Sequence, residues 1–213
     1  MSPRRCTLRA ALAACCVLLL PAATSTAQEP QLLSRLDPSS RYAIEVLLDS
    51  AARLGLPPEA LLSKTLEGIS KGAPAPRIVQ VVKKYFAALK SARSTLGNDS
   101  SVDELSAAAG ALQAGVDPKT ITNLRSSRKG SILTPLVVLA DLVSRGVPQD
   151  DASTAIVGMS QKGAVDSDFM GLRRGVEQDI LGGSPPGAAL DRRAREFPGR
   201  APPAGGRITP PTS

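Results

Sequence analysis

The chain is 213 residues long, carries 26 Lys and Arg against 19 Asp and Glu for a formal net charge of +7, and contains three cysteines, no histidine and no tryptophan. Without histidine, Ser-His-Asp and Cys-His nucleophilic catalysis and His-ligated zinc are excluded, which leaves carboxylate, Lys or Tyr chemistry for any enzyme. Tyr42, Tyr85, Phe86, Phe169 and Phe197 are too few to build stacking platforms for bases or sugars, and acids and bases are interspersed, so a nucleic-acid partner is not expected.

The first element in chain order is an export signal over residues 1–27. Arg4, Arg5 and Arg9 form its basic start, Ala10 to Leu20 its apolar stretch, and Ser25-Thr26-Ala27 supplies the small residues of a cleavage site. A membrane-spanning helix needs about 20 apolar residues, and this run meets Pro21 after roughly half that length. Leu12-Ala13-Ala14-Cys15 resembles a bacterial lipoprotein box, although the most apolar residues, Val17 to Leu20, follow the cysteine instead of preceding it. Arg4-Arg5 with Leu8 and Arg9 resembles part of a twin-arginine signal, with Thr7 where that pattern prefers Phe, so the export route stays open. Cys6, Cys15 and Cys16 all fall in this segment, and the exported chain of about 186 residues therefore has no thiol, disulfide or Cys-based metal site and suits a single domain. Its localisation is expected to be periplasmic or secreted.

Residues 28–36 read as a loose entry and 37–195 as one helical domain. Gly55, Gly72, Gly97, Gly115, Gly130, Gly146, Gly163 and Gly182 each close an apolar-periodic segment, as a glycine past the end of a helix does. Openers follow most of them: Pro57-Pro58, Pro74 to Pro76, Ser101, Asp117-Pro118, Thr134-Pro135, Pro148, Asp166 and Ser184-Pro185. Ser101-Val102-Asp103-Glu104 predicts a reciprocal capping box. Between these marks the apolar spacing is helical. Ile44, Leu47, Leu48, Ala51 and Leu54 share a face, as do Leu62, Leu66 and Ile69, then Ile78, Val82, Phe86 and Leu89, and then Leu105, Ala108, Ala109 and Leu112. Ile121 and Leu124 mark a short helix, followed by Pro135 to Arg145, which is apolar nearly all round and so belongs in the middle of the fold. Ala152, Ala155, Ile156 and Met159, then Phe169, Leu172, Val176 and Ile180, line two more. No stretch alternates with period two. The expected fold is all-α, eight or nine short helices stacked as helical hairpins in an array or irregular bundle.

The closing glycines recur every ~15–18 residues over most of the domain, and Gly55-Leu56-Pro57, Gly115-Val116-Asp117 and Gly146-Val147-Pro148 echo one another, which suggests degenerate internal repetition. Beyond residue 195 the Pro/Gly-rich segment 196–213 is expected to be disordered. Thr134-Pro135-Leu136 with Arg145-Gly146-Val147 superficially resembles one ankyrin unit, but the His and Ala of that family are missing and no neighbouring unit repeats the pattern. The run from Leu61 to Val82, with Ser63-Lys64, Glu67-Gly68, Lys71-Gly72 and Arg77-Ile78-Val79, resembles uncharacterised exported all-helical bacterial proteins. That resemblance implies no activity.

Three groups of charged residues stand out. Lys64, Glu67 and Lys71 share one helix face and form a candidate partner-facing patch. Arg125, Arg128 and Lys129 cluster at a helix C-terminus, where the macrodipole favours cations without any ligand and where an anion could also bind. Asp141 and Arg145, four apart on the apolar helix, predict a structural salt bridge. Glu45, Glu67, Asp141 and Glu177 are the more plausible carboxylates for a hydrolase, though no pair is marked. Arg173, Arg174, Arg192 and Arg193 could meet anionic headgroups if the helices carried lipid. The composition demands no chemistry and no cofactor. The leading expectation is an exported, non-catalytic interaction or scaffold protein that meets another envelope or secreted macromolecule, with an apolar-ligand carrier next and a carboxylate hydrolase last.

Overall fold

The computed structural model describes residues 33–197, and every regular element among them is an α-helix. The export signal and the Pro/Gly-rich tail beyond Phe197 lie outside the described residues. From Pro38 onward, nine helices follow one another among the described residues: α1 Pro38–Arg53, α2 Pro58–Ser70, α3 Ala75–Leu96, α4 Val102–Gln113, α5 Pro118–Ser127, α6 Leu133–Ser144, α7 Gln149–Gln161, α8 Asp166–Leu181 and α9 Pro186–Arg195. Of the expected loose entry, residues 33–36 are described, and Leu36 is buried in the core with its N–H donated to the Leu33 carbonyl.

Helix starts and stops follow local chemistry. Proline occupies the first or second position of α1, α2, α3, α5 and α9, where its missing N–H is one the helix could not use. Asp37 caps α1 by accepting the Ser40 N–H, and two hydroxyl or amide donors on that carboxylate, led by the Ser39 hydroxyl, hold its pKa well below the usual range. Gly55, at φ 63°, closes α1: its N–H reaches Ala52, and the next N–H, that of Leu56, reaches back to Ala51 at 3.0 Å. The same pair of bonds ends α2, α4, α6, α7 and α8. Leu56, Val116 and Val147, the aliphatic residues that follow three of these glycines, are buried.

Two of the expected boundaries differ. At the end of α8 the positive φ falls on Gly183 (90°), while Gly182 sits at φ −77° as the last near-helical residue. Helix α5 ends at Ser127 with Arg128 extended, so Gly130 shapes the loop that follows and does not cap the helix.

The helices stack in two interleaved rows. Second neighbours pack along α1, α3, α5, α7 and α9, and again along α4, α6 and α8, while the sequential pairs α1/α2, α2/α3, α3/α4, α6/α7 and α8/α9 form the hairpins between rows. Helix α6 contacts α4, α7 and α8, and Leu136, Val138, Leu139 and Leu142 are wholly buried there, with Val137 and Asp141 on its thin outer edge. Helix α3, with 22 residues, is the longest, about 33 Å, and touches α1, α2, α4 and α5 along its length. Helix α2 breaks the pattern: it leans on α1 and α3 but makes no comparable packing with α4, its expected neighbour in the second row.

Candidate functional site

The gap between α2 and α4 is an open cleft of about 370 Å³, lined by Ala60, Ser63, Lys64 and Glu67 of α2, Tyr85 of α3, and Ser106, Gly110 and Gln113 of α4. Ala60 and Ser63 on one lip and Ser106 and Gly110 on the other are small, so they offer few contacts across the gap. A Cβ built on Gly110 would meet nothing within 4 Å. Tyr85 forms the floor: its ring is mostly buried in the core, and its hydroxyl bonds to no other described residue.

A second hollow of about 350 Å³ adjoins the first, sharing Lys64 and Glu67, and is lined further by Gly68, Lys71, Ala73, Arg77, Ile78 and Val81. Gly68 permits the close crossing of α2 over α3 beneath it, since an added Cβ would lie 2.9 Å from Ile78 Cγ1. The charged stripe read from the sequence runs along this double cleft. Lys64 Nζ lies 2.8 Å from Glu67 Oε2, and Lys71 Nζ lies 2.5 Å from Glu67 Oε1. Hydrogen bonds from Lys64 and then Lys71 pull the Glu67 pKa down to about 2, so this carboxylate stays ionised throughout the physiological range.

The second charged group takes a different arrangement. Arg125 Nη1 lies 3.3 Å from Glu104 and Arg125 Nη2 bonds the Gly130 carbonyl. Arg128 reaches Asp166 at 2.5 Å and the Ala164 carbonyl at 3.1 Å, with its guanidinium 5.5 Å from the centre of the Phe169 ring. Lys129 is exposed and has no partner among the described residues. Two of the three cations are thus committed to carboxylates of this chain, where they fasten α5 to α4 and α8.

Asp141 and Arg145 pair at 2.7 Å, and two residues not foreseen complete the group: Arg173 Nε is 2.9 Å from the same Asp141 oxygen, and Arg145 Nη2 is 2.9 Å from Glu177. Burial raises the Asp141 pKa, but the hydrogen bonds from Arg145 and Arg173 outweigh it, and the net displacement is downward. A comparable knot ties α9 to α8, where Arg193 grips Asp179 with two bonds of 2.7 and 2.9 Å and Arg192 adds a third contact. Gly175 leaves room for that arginine, since a Cβ there would stand 3.0 Å from Arg193 Cδ.

These contacts bear on the competing chemistries. Asp141 and Glu177 face each other only through Arg145, Glu67 lies between two ammonium groups, and Glu45 is exposed on α1. Every described carboxylate with a displaced pKa is displaced downward, the opposite of what a general acid requires. Arg173, Arg192 and Arg193 are held in ion pairs, which leaves Arg174 alone of the four as an exposed arginine without a described partner. No three His, Cys, Asp or Glu converge on a metal-sized site among the described residues, and no described helix is long and apolar enough to cross a membrane.

Arg77, Tyr85, Ser106, Gly110 and Gln113 were not singled out by sequence. The signal was partly present: Ser106, Gly110 and Gln113 recur at helical spacing on the face next to Leu105, Ala109 and Leu112, about a quarter-turn round the helix. Compared with known proteins, the chain matches no family model, no curated protein and no solved structure.

Proposed function

We propose that this chain is an exported, non-catalytic helical array that binds an extended segment of another envelope or secreted macromolecule in the double cleft beside α2. One observation carries the reading: α2 and α4 rest on α3 without closing on each other, and small and polar side chains line the space they leave. Stacked helices offer elongated surfaces of this kind. Export rests on the basic, apolar and small-residue pattern of residues 1–27.

Panning the full exported chain against a displayed library of short random peptides tests the binding claim. Enriched sequences should bind G110A as they bind the native chain and should lose G110W, whose indole fills the cleft. A library that yields no enrichment, or clones indifferent to G110W, overturns the proposal.

A further inference from the structure

The hollow at the α2–α3 turn combines two features: an apolar floor and an excess of one charge. Gly68, Ala73, Ile78 and Val81 form the floor, and Val81 keeps 39% of its surface exposed although it sits on a helix whose neighbouring face is core. Lys64, Lys71 and Arg77 stand around it with Glu67 as the only acid in the lining. Glu67 already has one ammonium on each oxygen, and the Arg77 side chain has no hydrogen-bond or ion-pair partner among the described residues. Three cations therefore surround one saturated carboxylate, and the group best placed to join them carries negative charge beside an apolar surface.

Resting on the groove reading above, we propose that the ligand is an acidic peptide segment in which an aliphatic side chain lies next to a carboxylate. The aliphatic group covers Ile78 and Val81, and the carboxylate meets Arg77 with help from Lys71. The adjoining half of the cleft decides between a peptide and a fatty acid. Ser63, Tyr85, Ser106 and Gln113 offer hydroxyl and amide groups there, which suit the N–H and C=O groups of a peptide backbone. A long alkyl chain leaving the apolar half would strip water from those groups and return no hydrogen bond. At about 350 Å³, the apolar half alone is also at the small end of ligand pockets, which run from about 300 to 1,000 Å³, and suits one or two side chains.

The composition of the peptides selected by the native chain provides the test. Enriched clones should carry Asp or Glu adjacent to Leu, Ile or Val more often than the unselected library. Arg77→Gln should weaken the best clone about three- to fivefold, the effect of one partly exposed charge, and Arg77→Glu should shift a fresh selection away from acidic clones. Arg77 is exposed and its side chain makes no described hydrogen bond or ion pair, so both variants should melt like the native chain. Clones that need the cleft, as judged by G110W, but show no acidic bias and ignore Arg77 overturn this inference while leaving the groove reading in place. Failure to select any cleft-dependent clone removes both. Retention of myristate in native mass spectrometry, lost in Val81→Glu, would assign the hollow to a fatty acid and overturn the peptide inference.

Discussion

Replacing Glu104 with alanine should destabilise the array well beyond what its position in the first turn of α4 suggests. Glu104 is 6% exposed, and its Oε1 accepts the N–H of Ile132 at 2.8 Å and a contact from Arg125 at 3.3 Å. Ile132 is fully buried at the N-cap of α6, where its own side chain cannot cap the helix and Ser131 accepts only the Leu133 N–H. Alanine leaves that buried N–H without an acceptor, which costs about 1–3 kcal/mol, toward the upper end because the lost acceptor is ionised. Arg125 is about one-third exposed and keeps the Gly130 carbonyl, so its share is small. A total of ~2–3 kcal/mol should lower Tm by about 4–12 °C in a domain of this size. Glu104→Gln keeps an oxygen for Ile132 and should cost no more than about 1 kcal/mol. Urea unfolding followed by circular dichroism, with unchanged slope and a shifted midpoint, reads both numbers. An alanine variant within ~0.5 kcal/mol of the native chain, or a glutamine variant as damaging as alanine, would refute the assignment of Glu104 as the cap of α6.

Three further outcomes are expected. Gly68→Ala should destabilise by about 1–2 kcal/mol, because overpacking against Ile78 exceeds the gain in helix propensity; in a double-mutant cycle Ile78→Ala should cost less in the Gly68→Ala background than alone, and strict additivity would contradict the close crossing. Gly183→Ala should be about 1 kcal/mol more costly than Gly182→Ala, since only Gly183 has positive φ; equal melting temperatures would move the helix end by one residue. The Glu67 pKa lies below its usual value of 4.5, so its modest, partly solvent-screened contribution to stability is complete above that pH and disappears as pH falls toward 2. A carboxyl NMR titration should find the Glu67 midpoint near 2 and return it toward 4.5 in the Lys64→Gln, Lys71→Gln double variant. A native midpoint near 4.5 would show that the two lysines do not hold it in solution.

What the sequence made legible was local. Glycine ends a helix because one residue must take positive φ, a demand carried by that residue alone, and Gly55, Gly72, Gly115, Gly146 and Gly163 could be read directly. With Gly182 and Gly183 adjacent, composition could not choose; the bond from the Ser184 N–H to the Asp179 carbonyl places the turn on the second glycine. The Ser101-Glu104 box formed only in half. Ser101 accepts the Glu104 N–H at 3.2 Å as the pattern requires, but the Glu104 side chain is taken by Ile132, 28 residues away. Asp141 and Arg145 were visible as an i,i+4 pair, whereas Arg173 and Glu177 joined them only because α6 packs on α8. Arg125 and Arg128 were read as free cations near a helix end for the same reason: their carboxylates come from other helices.

The cleft shows why a site of this kind escapes sequence reading and yet persists in the fold. A gap between helices ordinarily costs dispersion contacts on both walls, and α2 could in principle slide toward α4 to recover them. Closing it would bury Lys64 and Glu67, which now keep 33% and 42% of their side-chain surface. Stripping water from an ion pair costs several kcal/mol per charge, and the Coulombic gain rarely repays it without further hydrogen bonds. Ala60, Ser63, Ser106 and Gly110 could supply few of them and little apolar area in return. The pair on α2 therefore acts as a hydrated prop: it sets the spacing of the two helices, and it does so only because α3 is long enough to support both of them independently. Replacing Lys64 and Glu67 together by leucines should draw α2 onto α4, raise the melting temperature and abolish peptide selection at once. A double variant that still selects cleft-dependent peptides would show that the opening is set elsewhere.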